Sequence, residues 1–335
     1  MIETVLGKID KKELGLTLPH EHILIDMKGC VDITGKEGQI FYQKINSKNR
    51  YAVYSDPYAI LDNALIDSEE TAIEELNLFK SFGGKSIVDC TLDEIGRDPL
   101  KLKKISQSTG VNVIMGCGHY YDKTHSDDTK NASIDTFVKQ MKEDITVGVN
   151  GTDIKAGLIG EIGTSATISN SERKVVHAAG IVSGELDKAV HIHTDLYTEN
   201  GYEIVKILTD EGAKANRICI DHIDVLIRPE YIFKLLDLGV YVEFDNFGKE
   251  FYVNKERRFA YDLERVKMIK DIVKKGYEKQ ILITNDICLK TMLAAYGGNG
   301  YAHVLNAVKF MLLEEGISEK TYKKIMTDNV AEFLD

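Results

Sequence analysis

Histidines and carboxylates stand at the ends of short apolar runs in this chain. His20-Glu21-His22 follows Leu16-Thr17-Leu18-Pro19, His193 closes Val190-His191-Ile192-His193, and His222 closes Ile218-Cys219-Ile220-Asp221-His222. Asp286 closes Ile281-Leu282-Ile283-Thr284-Asn285-Asp286, and Glu161 closes Ala156-Gly157-Leu158-Ile159-Gly160-Glu161. Imidazole and carboxylate are the donors that zinc, manganese, cobalt and iron share. Side chains alternate faces along a strand, so His20 and His22 point the same way and offer two imidazoles to one ion, with Glu21 turned away. One such pair among nine histidines is unremarkable. Its combination with His193, His222 and Asp286 at separate strand ends is the stronger signal. His191 shares the face of His193 but lies about 6–7 Å lower, which marks it as a barrel-interior residue. His119, His125, His177 and His303 fit no such pattern.

Ligands spread over the whole chain must be gathered by the fold, and a (β/α)8 barrel gathers strand C-termini on one face. The pattern predicts an α/β chain of that type: strands near 16–22, 86–91, 111–116, 156–161, 189–194, 218–222, 240–244 and 281–286. Helices are expected over 65–82, 99–108, 134–147, 172–184, 202–212, 229–239, 262–276, 303–315 and 318–334. Residues 2–18 read as a hairpin, with Thr4-Val5-Leu6 and Leu16-Thr17-Leu18 as arms, leading into the first strand. Residues 27–60 form a long polar loop over the active face, one of the loop insertions expected there. The 335 residues suit one barrel domain over 1–335, since such barrels take roughly 250 residues plus insertions. An open doubly wound sheet would want a glycine-rich turn after its first strand, and Gly15 and Gly29 stand alone.

A net charge of −11 without a basic tract argues against nucleic acid or an anionic membrane as main partner. No run of 18 apolar residues and no secretory pattern at the start are seen, so a cytoplasmic protein is expected. The five cysteines are odd in number and without CxxC spacing, which fits reduced, buried thiols.

Taken in order, Leu18-Pro19-His20-Glu21-His22, Gly96-Arg97-Asp98, Ala156 to Ser165, His193-Thr194, Asp221-His222 and Asn285-Asp286 give the chain an end-to-end resemblance to the phosphotriesterase-like family of the amidohydrolase superfamily. The resemblance implies two divalent metal ions, zinc first and manganese, cobalt or iron otherwise, with a carboxylate and a hydroxide between them. By it His20, His22 and Asp286 hold the more buried ion, and His193 and His222 the more exposed one. Many members bridge the ions with a carbamylated lysine on strand 4; here Gly160 stands in that place, and Glu161 matches the branch that uses glutamate. The implied chemistry is attack of the metal-bridging hydroxide, with Asp286 accepting its proton and passing it to the leaving group. Asp89 and Asp221 are candidates to orient ligand imidazoles. No G-x-S-x-G elbow or Cys/His pair offers a competing nucleophile.

The family's activities make a lactonase the first expectation. Arg228 after strand 6, and Lys249, Arg257, Arg258 and Tyr261 after strand 7, put cations near the mouth of an acidic protein. Arg258 and Tyr261 have the Arg-x-x-Tyr spacing of the branch acting on phosphorylated sugar lactones, so Arg228, Arg258 and Tyr261 are expected to hold a phosphate. Tyr120 and Tyr121, after strand 3, are expected to line the sugar or lactone pocket. The implied partner is a small anionic sugar lactone, with a homodimer as the assembly that the family suggests. The alternatives are a phosphotriesterase or phosphoesterase, an amide or N-acyl hydrolase with the same metal site, and a non-catalytic metal-binding protein.

Overall fold

The computed structural model describes residues 1–34, 38, 40–54, 56–252 and 258–335. Eight strands run parallel in sequence order: β1 (Leu16–Glu21), β2 (Gly84–Asp89), β3 (Asn112–Cys117), β4 (Leu158–Gly163), β5 (Val190–His193), β6 (Ile218–Ile220), β7 (Tyr241–Phe244) and β8 (Ile281–Ile283). Helices lie between them, and the sheet curls into a nearly closed (β/α)8 barrel. Alternation along the strands sorts side chains into two cores. Ile87, Val113, Ile159 and Val242 pack outward with the helices, in one cluster with Leu76 and Phe79. Val88, Ile114, Leu158 and Leu282 point the other way and join Ile2, Phe333 and Leu334 from the chain ends, which fill the lower barrel.

The seam between β8 and β1 is closed largely by side chains. Thr284 Oγ1 donates to the His20 carbonyl (3.0 Å) and to Glu21 Oε1 (2.6 Å). Glu21 also accepts the N–H of Asn285 (2.9 Å), the Asn285 amide (3.0 Å) and the N–H of Ile287 (2.7 Å). Glu21 therefore fastens the backbone on either side of Asp286.

The terminal hairpin differs from the expectation. Its arms are Ile2–Thr4 and Gly7–Ile9, and Leu16 opens the barrel itself. Gly7 takes φ +106°, a conformation glycine adopts without penalty, so the chain reverses there. A turn over Lys11–Glu13, capped by Asp10, leads into β1. The loop over 27–60 is tied at its neck, where Ile25–Asp26 pairs antiparallel with Leu65–Ile66. Those two residues are thus strand rather than helix, and the first helix begins at Glu69 behind the Ser68 cap. Ile45, Val53 and Ile60 give the loop a small core of its own. Among the described residues no helix is long and apolar enough to cross a membrane.

Candidate metal centre

The expected ligands converge at the C-terminal ends of their strands. β4 carries a bulge between Ile159 and Ile162. Leu158 faces the interior, so regular alternation would turn Glu161 outward; the extra residue turns it in, as bulges do. Gly160 permits this, with φ +121° and a position at which a Cβ would sit 2.5 Å from the His191 carbonyl oxygen. A lysine does not fit there, and Glu161 occupies the centre instead. Glu161 Oε1 lies 3.2 Å from His22 Nε2, and Oε2 lies 3.5 Å from His20 Nε2, 3.1 Å from His193 Nδ1 and 3.6 Å from His222 Nε2. Asp286 Oδ1 is 3.2 Å from His22 Nε2. His222 and Asp286 both take positive φ, +61° and +45°, a conformation that side-chain-bearing residues favour only where the surroundings impose it.

Three of the four imidazoles are held from behind. His20 Nδ1 is 2.9 Å from Glu243 Oε2, His22 Nδ1 is 2.9 Å from Thr91 Oγ1, and His222 Nδ1 is 3.0 Å from Asp245 Oδ2. These contacts fix which ring nitrogen faces the centre. Glu243 was not singled out in the sequence, although a glutamate inside the apolar run Val240 to Phe244 was the available signal. Asp89 holds the backbone at Ile23 (2.8 Å) and Thr91 (3.1 Å) rather than an imidazole. Asp221 Oδ1 lies 2.8 Å from His191 Nδ1. His191 is fully buried against Phe333, one layer below the centre.

The donors suit divalent ions. His20, His22 and Glu161 bring ligand atoms within 4.8 Å of one another, as do Glu161, His193 and His222, so Glu161 is common to both groups. His20 Nε2 is buried with no hydrogen-bond partner, a cost that an ion would remove. Burial alone would raise the pKa of Glu161, but His20 and His193 outweigh it and hold the carboxyl well below its usual range. Asp286 behaves likewise: the Lys249 ammonium, hydrogen-bonded to its Oδ2, and His22 overcome burial and keep it ionised.

A cavity of about 260 Å³ opens above these groups. Ile25, Met27, Leu196, Phe251, Phe259 and Leu289 form its apolar wall, with Tyr58, Tyr120 and Lys249 as polar points. The Tyr120 hydroxyl lies 3.2 Å from His193 Nδ1. Tyr121 stacks on the His193 ring at 6.2 Å between centroids and is not part of the wall. Arg228, Arg258 and Tyr261 are not brought to this cavity either. Arg228 points to the carbonyls of Tyr197 (3.3 Å) and Leu196 (3.5 Å). Arg258 forks onto Glu264 (both 2.9 Å), and the exposed Tyr261 caps the following helix through that same Glu264. The phosphate clamp expected from these three is thus not assembled at the centre. Arg257 lies outside the described residues. Lys249 is the one lysine or arginine lining the cavity among the described residues, and its contact with Asp286 was not foreseen.

Residues 1–334 match the model of the Phosphotriesterase family. An N-acetyltaurine hydrolase from Xenopus tropicalis is 36% identical, covering 99% of this chain and 97% of that protein. A resiniferatoxin-binding protein from Rhodobacter sphaeroides superposes with a TM-score of 0.96 at 30% identity, covering 100% of this chain and 94% of that one. A lactonase from Listeria monocytogenes gives 0.81 at 25% identity, covering 100% and 98%. A histidine–carboxylate centre at the top of a barrel and a family match over nearly every residue lead to one conclusion: the chain belongs to the phosphotriesterase family and is a metal-dependent hydrolase.

Proposed function

We propose that the chain hydrolyses the amide bond of a small N-acyl amine bearing an anionic group, with N-acyl aminosulfonates of the N-acetyltaurine type first among candidates. The observation that carries this reading is Lys249, a buried ammonium in the cavity wall beside Asp286. One ammonium suits a sulfonate or carboxylate monoanion, whereas the two arginines expected to bind a phosphate are engaged elsewhere. Relatives about a third identical over nearly their whole length carry the name N-acetyltaurine hydrolase.

In this reading His20, His22, Glu161, His193, His222 and Asp286 would hold two divalent ions. The ions would supply Lewis acidity toward the acyl oxygen and lower the pKa of water. Asp286, kept ionised by Lys249, takes a proton from the attacking water and returns it to the leaving nitrogen. The Tyr120 hydroxyl, beside His193, donates to the acyl oxygen. The apolar wall receives the acyl group and the short carbon linker and keeps bulk water out.

The test is hydrolysis by protein loaded with zinc or with manganese, read as amine release for the amides and as acid release for a lactone. N-acetyltaurine, N-acetyl-β-alanine, uncharged N-acetylethanolamine and a phosphorylated sugar lactone are compared. A preference of about tenfold or more for the anionic amides is expected, as one charge-assisted contact is worth about 1.5–3 kcal/mol. Turnover of the lactone above all three amides would end this proposal. Ring opening of an unphosphorylated lactone is the second reading, favoured by the likeness to the Listeria lactonase.

A further inference from the structure

The loops after β7 and β8 have two faces. Asn246, Lys249, Asp286 and Cys288 line the cavity over the metal centre, while Phe247, Gly248, Glu250, Asn285 and Ile287 line a second cavity behind it. The second one is larger, about 460 Å³, and Phe251 alone borders both among the described residues. The 27–60 loop contributes its far side through Arg50, Val53 and Tyr54.

Its polar groups specify an occupant. The Arg50 guanidinium reaches the Tyr54 hydroxyl (3.3 Å) and the Thr291 carbonyl (3.4 Å), its Nε has no partner, and it makes no ion pair with a described carboxylate. The Asp262 charge is matched locally: His303 Nε2 meets its Oδ2 at 2.7 Å and Arg265 donates to its Oδ1 at 2.9 Å. Glu250, at the exposed rim, accepts the Asp262 N–H at 3.2 Å and makes no ion pair with a described cation. Asn285, 1% exposed, gives its amide N–H to Glu21, while its Oδ1 has no partner. A guanidinium without a carboxylate calls for a trigonal or planar anion. A bare amide oxygen calls for a donor. Val53, Phe247, Met292 and Met311 offer an apolar middle.

The wall is built in advance. Among its lining residues, the Gly248 N–H donates to Asp262 Oδ1 (2.9 Å), Asp262 is in turn held by the fully buried Arg265 (2.9 Å), and the Asn285 N–H donates to Glu21 (2.9 Å). Binding cavities are usually preformed in this way.

We propose that the second cavity binds a small organic monoanion, a carboxylate or sulfonate held by Arg50, with an N–H or O–H donor at its other end for Asn285. The proposal does not depend on which bond the enzyme cuts. Its occupant would touch Gly248 and Asn285, the chain neighbours of Lys249 and Asp286.

Crystals of the metal-loaded protein soaked in 3-bromo-2-hydroxypropanesulfonate, which carries both the anion and a hydroxyl donor, test this, because bromine is located by anomalous scattering. A bromine peak in the second cavity is expected, and Arg50→Gln should lose it. Uncharged 3-bromo-1,2-propanediol, soaked into wild-type crystals, should leave the cavity empty, which keeps the test independent of how the variant folds. An empty second cavity after the sulfonate soak, a peak that survives Arg50→Gln, or equal occupancy by the diol would each overturn the proposal.

Discussion

Glu21 Oε2 accepts the backbone N–H of Ile287 at 2.7 Å across the seam where β8 meets β1. With its bonds to Thr284 and Asn285, the carboxylate holds four donors in a dry site and sets the backbone around Asp286. Glu21→Ala would leave those donors unmatched, at about 3–5 kcal/mol, the range for removing one partner of a buried charged network. Denaturant unfolding checks this, and a loss under about 1 kcal/mol would show that water replaces the carboxylate.

Glu161 is the residue shared by the His20–His22 group and the His193–His222 group of ligand atoms. Glu161→Ala should lower bound metal from two ions per chain to one or none and cut turnover at least ~100-fold, since paired ions act together. Elemental analysis of the dialysed variant alongside its rate decides the matter; two retained ions with near-normal turnover would remove Glu161 from the bridge.

Metal uptake should depend on pH in a definite direction. Burial alone would lower the pKa of His22, but Asp286 and Glu161, each 3.2 Å away, raise it to about 9 in the metal-free protein. An ion needs the neutral imidazole, so below that pH it must displace a proton. Apparent affinity should therefore climb as pH rises toward about 9 and level off above it. Competition with a chelator at stepped pH measures this, and a flat profile would contradict it.

The barrel and the convergence of these histidines and carboxylates were legible because both rest on local pattern: apolar runs of strand length, each ended by a candidate ligand. The seam was not legible. Alternation sends Glu21 away from His20 and His22 correctly, yet only the closed ring reveals Thr284, Asn285 and Ile287 as its partners. The bulge at Gly160 was equally hidden, since it is a matter of register with β5. The substrate residues misled for a different reason. Arg-x-x-Tyr spacing describes a helix entrance, and at this entrance Glu264, three residues after Tyr261, takes both the Arg258 fork and the Tyr261 N–H.

That competition makes Arg258 testable from the opposite side. Its pair with Glu264 is partly exposed, at 38% for each side chain, and such pairs contribute about 0–1 kcal/mol. Arg258→Glu should cost about 1 kcal/mol or less and leave KM for an anionic substrate within about twofold. A KM raised tenfold or more would return Arg258 to the binding site.

Lys249 is where charge should matter. It is 4% exposed, its ammonium contacts Asp286, and that contact outweighs burial to raise its own pKa. Lys249→Met should raise KM for an anionic amide by about 10–100-fold, the equivalent of a charge-assisted hydrogen bond, with a smaller change for an uncharged one. The same change removes the largest influence holding Asp286 ionised. A base whose pKa rises is protonated over more of the acidic range, so the acid limb of kcat should move to higher pH, for the uncharged substrate as well. Lys249→Arg keeps the charge and should keep that limb near its wild-type position. Steady-state kinetics of both variants across pH separate the two roles. Equal KM effects on charged and uncharged amides would deny Lys249 a part in anion binding, and an unmoved acid limb in Lys249→Met would deny its part in tuning Asp286.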